Sequence, residues 1–201
     1  ANVVVIYGEN RGGGHMRTVV GVTGGSGVRY AHTLLANLKG DIELILSRDA
    51  EEVIRAETDF DPKDFAAFAT RVYRNDDLSA PIASGSYKFD AMVIVPCSGT
   101  TSAKIAAGIA DNLITRAAAV AIKEKRTLIL VPRETPLSSI MLDNLAKLAR
   151  AGVTVLPAMP GFYHNPKEVQ QLVDFVVGRI LDHLGQEHAL YRPWEGPAKR
   201  D

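Results

Sequence analysis

The chain has one cysteine and one tryptophan in 201 residues, and its basic and acidic side chains balance at 23 each. A lone cysteine, Cys97, cannot form an intramolecular disulfide, which excludes disulfide-stapled scaffolds and fits a reducing cytoplasm. Zero net charge leaves no broad basic surface for nucleic acid or an anionic membrane, so anion-binding arginines must act locally. No apolar run approaches the roughly 18 residues of a membrane span, and the start lacks a secretory apolar core. The histidines and Cys97 show no metal-ligand spacing. These absences predict a soluble, cytoplasmic protein without a metal centre.

What is present is a 46% hydrophobic content, ample for one buried core. Residues 1–15, a valine-rich run ending in Gly12-Gly13-Gly14-His15, read as a leader appended before Met16, or alternatively as an extra edge strand. Residues 16–201 read as a single domain. Strands are predicted over 18–22, 43–46, 91–95, 127–131 and 153–156. Helices are predicted over 28–38, 49–57, 102–110, 112–125 and 138–151, with a long last helix opened by Pro166. Residues 59–88 read as a long irregular segment. The alternation implies an α/β fold of flavodoxin-like, Rossmann-like type: three layers, a mostly parallel sheet with helices on both faces and ligands outside the strands' carboxyl ends.

Those ends carry the unusual residues. Thr23-Gly24-Gly25-Ser26-Gly27 and Pro96-Cys97-Ser98-Gly99-Thr100-Thr101 each follow an apolar strand and precede a helix. Glycines allow close approach, hydroxyls donate, and helix N-terminal amides favour a phosphate. The first loop is not G-x-G-x-x-G, so one phosphate fits better than a dinucleotide. Arg133 and Glu134 follow a buried strand between two prolines and are either aimed into a site or paired with each other over the next helix. Pro157 to His164 offers a phenol at Tyr163 and an imidazole at His164, or simply aromatic packing. Arg179 is either a snorkelling arginine or an anion ligand, Lys123 either a solvated helix end or a site cation, and Arg116 adds a further charge. Cys97 reads as a buried strand-end residue.

Taken in order, the segments Thr23 to Tyr30, Pro96 to Thr101, Asp111 to Ala117, Val131 to Pro136 and Pro160 to His164 closely resemble the flavin prenyltransferases. The likeness runs from Met16 to about Trp194. It implies an enzyme that transfers a dimethylallyl group from dimethylallyl monophosphate to N5 and C6 of reduced FMN, without a metal, giving prenylated FMN for a separate decarboxylase. By motif, Gly24, Gly25, Ser26, Ser47, Ser98, Gly99, Thr100, Thr101 and Arg133 would hold FMN. Tyr163, Arg179 and Lys123, with Arg116, would hold the prenyl phosphate, and Glu134, Glu57 and Lys123 would serve the chemistry. The family's dodecamers, with active sites at subunit contacts, imply a homo-oligomer. The alternatives are an FMN-dependent cysteine-type decarboxylase, whose Pro-x-Met-Asn segment is here Pro157-Ala158-Met159-Pro160, and a flavin carrier.

Overall fold

The computed structural model describes residues 16–196, so the leader expected over residues 1–15 lies outside the described residues. Strands β1 (Arg17–Val22), β2 (Asp41–Leu46), β3 (Arg71–Arg74), β4 (Ala91–Cys97), β5 (Thr127–Pro132) and β6 (Thr154–Val155) form one sheet. Their order is β3-β2-β1-β4-β5-β6, and every neighbouring pair is parallel. The helices are α1 (Val28–Asn37), α2 (Arg48–Glu57), α3 (Pro62–Ala66), α4 (Gly99–Ala107), α5 (Leu113–Lys123), α6 (Ser139–Arg150) and α7 (Val169–His183).

Side chains alternate across a strand, so each strand feeds two cores. Val20, Val22, Leu44, Val93 and Ile129 pack with α1, α2 and α7, whereas Val19, Ile45, Met92, Ile94 and Leu128 pack with α4 and α5. All seven residues of β4 are buried, as a central parallel strand covered on both faces requires. The result is the expected three-layer, flavodoxin-like α/β fold. From β1 the chain winds outward through β2 to β3, then returns to β4 on β1's other side. The carboxyl ends of β1 and β4 therefore flank the topological switch point, where such sheets bind ligands.

Three local expectations are corrected. The segment over 59–88 contains α3, opened by an Asp61–Asp64 capping box with Pro62 in its first turn, and the edge strand β3. Only four residues long, β3 exposes Arg71 and Arg74, charges that suit an edge and hide the strand pattern. Helix α4 starts at Gly99 rather than 102, because the Ser98 side chain accepts from the Thr101 amide and caps it. Helix α7 starts at Val169 rather than at Pro166: Asn165 has φ 53, and a Glu168–Gln171 capping box begins the helix later.

Candidate functional site

The two glycine- and hydroxyl-rich exits are joined to each other. The Thr23 hydroxyl donates to the Pro96 carbonyl at 2.7 Å and accepts from the Ser98 amide at 2.8 Å. Beside this junction three helices begin. Ser47 caps α2 by accepting from Ala50 N at 3.0 Å, Ser98 caps α4, and Asn112 caps α5 by accepting from Thr115 N at 3.0 Å. All three caps line one polar cleft of about 240 Å³, together with Gly24, Thr100, Thr101 and Lys104. A Cβ at Gly24 would stand 2.5 Å from Cβ of Asp49, so a side chain there would push α2 away from the first loop.

The donor set suits a phosphate. Helix N-termini carry partial positive charge, hydroxyls add short donors, and Lys104 supplies a full charge. Lys104 Nζ donates to Asp111 Oδ2 at 2.7 Å, and that hydrogen bond holds the Asp111 carboxyl below its usual range. Sequence reasoning missed Lys104. Starting the helix at 102 hid the signal; with α4 beginning at Gly99, Lys104 stands one turn beyond Thr100 and Thr101 and shares their face.

A second group lies around the first loop. Arg133 Nε donates to the Ser26 carbonyl at 3.4 Å, and Glu57 Oε2 accepts from the Gly27 amide at 2.8 Å. Tyr30 joins them: burial raises its phenol above the ordinary value, against the opposing charge of Arg133. Ser26 does not line the cleft that holds Ser47; its contact is with Arg133. Glu134 is exposed, accepts from the Thr135 amide at 3.2 Å, and borders an open cleft of about 310 Å³ with Gly99, Pro136, Ile140 and Met141. An Arg133–Glu134 ion pair is not among those of the described residues.

The remaining candidates are dispersed. Arg179 Nη1 donates to Asp182 Oδ2 at 2.7 Å and to the Tyr191 hydroxyl at 3.1 Å, while the Tyr163 hydroxyl donates to the Arg192 carbonyl at 3.4 Å. Both therefore meet the segment after α7. Arg116 Nε donates to the Ala83 carbonyl at 2.9 Å, near the start of α5. Lys123 pairs with Glu124 at the far end of that helix, about 10 Å further along its axis at 1.5 Å per residue. One chain thus brings Gly24, Ser47, Ser98, Thr100 and Thr101 to one cleft but leaves Lys123 at the opposite, amino-terminal end of the strands, where α5 leads into β5.

His164 stacks on Phe175 at 5.5 Å, and both its ring nitrogens are buried without a hydrogen-bond partner among the described residues. Cys97 is 1% exposed, and burial pushes its thiol up to about 12, so it is a packing residue and not a ready nucleophile. Among the described residues no cluster of three or more His, Cys, Asp or Glu could hold a metal, and no helix is long and apolar enough to cross a membrane.

The family model described as Flavoprotein matches residues 7–181. The flavin prenyltransferase UbiX of Thermoplasma acidophilum is 54% identical over 180 residues, covering 89% of this chain and all of that protein. Among solved structures, AnUbiX (PadA1) in complex with FMN and dimethylallyl pyrophosphate superimposes with a TM-score of 0.88 at 39% identity, covering 90% of this chain and 98% of that one. A dodecameric FMN-dependent UbiX-like decarboxylase from Escherichia coli O157:H7 gives a TM-score of 0.88 at 43% identity, covering 90% of this chain and 100% of that one.

Proposed function

We propose, since the chain belongs to the flavin prenyltransferase family and is a transferase, that it joins the dimethylallyl group of dimethylallyl monophosphate to N5 and C6 of reduced FMN. The observation that carries this reading is the convergence of three helix N-termini and Lys104 on one cleft at the β1–β4 switch point. A flavin mononucleotide has one phosphate, and this is a site for one. AnUbiX (PadA1), 39% identical, holds FMN together with dimethylallyl pyrophosphate.

Ser47, Ser98, Thr100 and Thr101, with the backbone of Gly24, Gly25 and Gly99, hold the FMN phosphate and ribityl chain. Ser26 and Arg133 lie toward the ring. Reduced FMN supplies an electron-rich nucleophile at N5 and then at C6. Breaking the allylic C–O bond leaves negative charge on phosphate, which Arg179, Tyr163, Arg116 and Lys123 stabilise in place of a metal. Glu134 accepts the ring proton after the second bond forms, and Glu57, fixed on the Gly27 amide, lies at the substrate's edge.

Arg116 and Lys123 serve a site completed by a neighbouring copy. Their exposure and the position of Lys123 at the amino-terminal end of the strands, away from the cleft, support this, as does the dodecameric relative. The assembly is accordingly a dodecamer in the cytoplasm, and its product passes to a separate prenylated-FMN-dependent decarboxylase.

Anaerobic incubation with reduced FMN and either dimethylallyl monophosphate or diphosphate, followed by mass spectrometry of the flavin, tests the reaction. The expected result is a mass gain of one prenyl unit, faster with the monophosphate; no gain with either would falsify the function. Light scattering that found an active monomer would overturn the assembly.

A further inference from the structure

We propose that Asp182, Tyr191 and His188 form a positioning clamp that presents the Arg179 guanidinium to the prenyl phosphate, making the segment after α7 part of the substrate site. The proposal rests on the reading above that Arg179 binds that phosphate. Asp182 lies three residues beyond Arg179 on α7, and an exposed pair at this spacing is by itself weak. Here both carboxylate oxygens are engaged. Oδ2 accepts from Arg179 Nη1 at 2.7 Å and from the Tyr191 hydroxyl at 2.5 Å, while Oδ1 lies 3.0 Å from His188 Nε2.

The histidine's role is fixed by its other nitrogen. His188 Nδ1 accepts from the Leu190 amide at 3.2 Å, so the ring proton sits on Nε2 and is donated to Asp182. Its side chain is only 9% exposed, whereas that of Arg179 is 45% exposed. A nearly buried ring thus anchors a carboxylate that grips an accessible cation. Tyr191 closes the set, because its oxygen also accepts from Arg179 Nη1 at 3.1 Å.

Gly178 gives an independent reason to regard this contact as built. It is buried inside α7, where glycine weakens a helix relative to alanine. A Cβ there would fall 2.5 Å from Tyr191 Cδ1 and 2.8 Å from His188 Cε1. The helix thus accepts a poor residue at the one place where the clamp's two rings press on it. The same segment reaches the other proposed phosphate ligand, since the Arg192 carbonyl accepts from Tyr163, and Phe175 lies against both Tyr163 and Tyr191.

The clamp uses one nitrogen. Arg179 Nη2 and Nε have no hydrogen-bond partner among the described residues, which leaves an edge of the fork for a bidentate phosphate contact. A long side chain ordered beforehand loses less rotamer freedom on binding, and this is how the clamp raises affinity.

The test uses the FMN-loaded full-length assembly and dimethylallyl monophosphate. Tyr191→Phe keeps the ring on Gly178 but removes the hydroxyl; it should raise KM for the monophosphate about fivefold, with kcat and FMN affinity unchanged. Gly178→Ala, which displaces the same ring, should raise KM likewise. In an Arg179→Ala background Tyr191→Phe should add nothing, because it acts only through the guanidinium. Equal KM rises in both backgrounds would mean a merely structural role and would overturn the clamp. So would a Tyr191→Phe enzyme with wild-type KM while Arg179→Ala raises it. If Arg179→Ala itself leaves KM unchanged, the assignment of Arg179 fails, and the clamp with it.

Discussion

Thr23, the first residue after β1, and Ser98, the first after β4, share a hydrogen bond in which the Ser98 amide donates to the Thr23 hydroxyl at 2.8 Å. The same hydroxyl donates to the Pro96 carbonyl, and Thr23 is 3% exposed. This buried oxygen, together with the Thr23 amide that donates to the same carbonyl at 3.3 Å, ties the two loops proposed to hold the flavin. Thr23→Val conserves shape but strands the Ser98 amide, which should cost about 1–3 kcal/mol in urea unfolding. Flavin affinity should fall with it. Unchanged stability and unchanged affinity would show that the loops hold their spacing without this link.

Ser47 caps α2 and faces the cleft, so its side chain meets both a helix dipole and the proposed phosphate. Aspartate is itself a good N-cap, which makes Ser47→Asp a selective test: the helix should survive while the added charge repels the phosphate. The variant should fold with wild-type helical content and purify without flavin colour. Retained flavin would remove Ser47 from the phosphate site.

Glu43 gives a pH prediction. It is 2% exposed on β2, accepts from Tyr87 at 2.5 Å and Tyr73 at 3.3 Å, and lies 3.5 Å from Arg17 Nε. Burial raises its carboxyl above the ordinary glutamate value, against the opposing pulls of the Tyr87 hydrogen bond and the Arg17 and Arg71 charges. The folded chain therefore holds this proton to higher pH than the unfolded one. Stability from this group is fullest below the unfolded value and declines as pH rises toward the folded one. Glu43→Gln cannot titrate, so the stability of wild type minus that of the variant should shrink with rising pH across this window. A difference that is flat or grows with pH would contradict the sign.

The three layers and the parallel sheet were legible because they rest on periodicity: apolar runs such as Ala91 to Val95 bounded by glycine, hydroxyl and proline signals. Edge strand β3 escaped because an edge needs charge, and charge erases the strand pattern. Within the proposed site, the Ser98 to Thr101 turn was readable as hydroxyls at a strand exit, whereas Ser47 came from the family resemblance. Lys104 was not, since its role depends on where α4 begins, and Ser98's capping decides that. The coupling of Arg179 to His188 and Tyr191 joins residues 9 and 12 positions away through a folded-back segment, which no local pattern encodes.

Glu134 separates binding from chemistry. It is exposed at the cleft it shares with Gly99 and Pro136, and its contact among the described residues is the neighbouring Thr135 amide, so no structural ion pair claims it. A carboxylate offers acceptor oxygens for a proton, whereas the guanidinium of Arg133 beside it is a donor only. Glutamine keeps the size and one acceptor oxygen but removes the base. Glu134→Gln should therefore bind FMN as tightly as wild type and unfold at the same urea concentration. Its single-turnover rate of flavin prenylation should fall by about 100-fold or more, the usual contribution of a positioned acid–base group. A variant with wild-type single-turnover rate would assign the proton to another acceptor, such as the released phosphate held by Arg179.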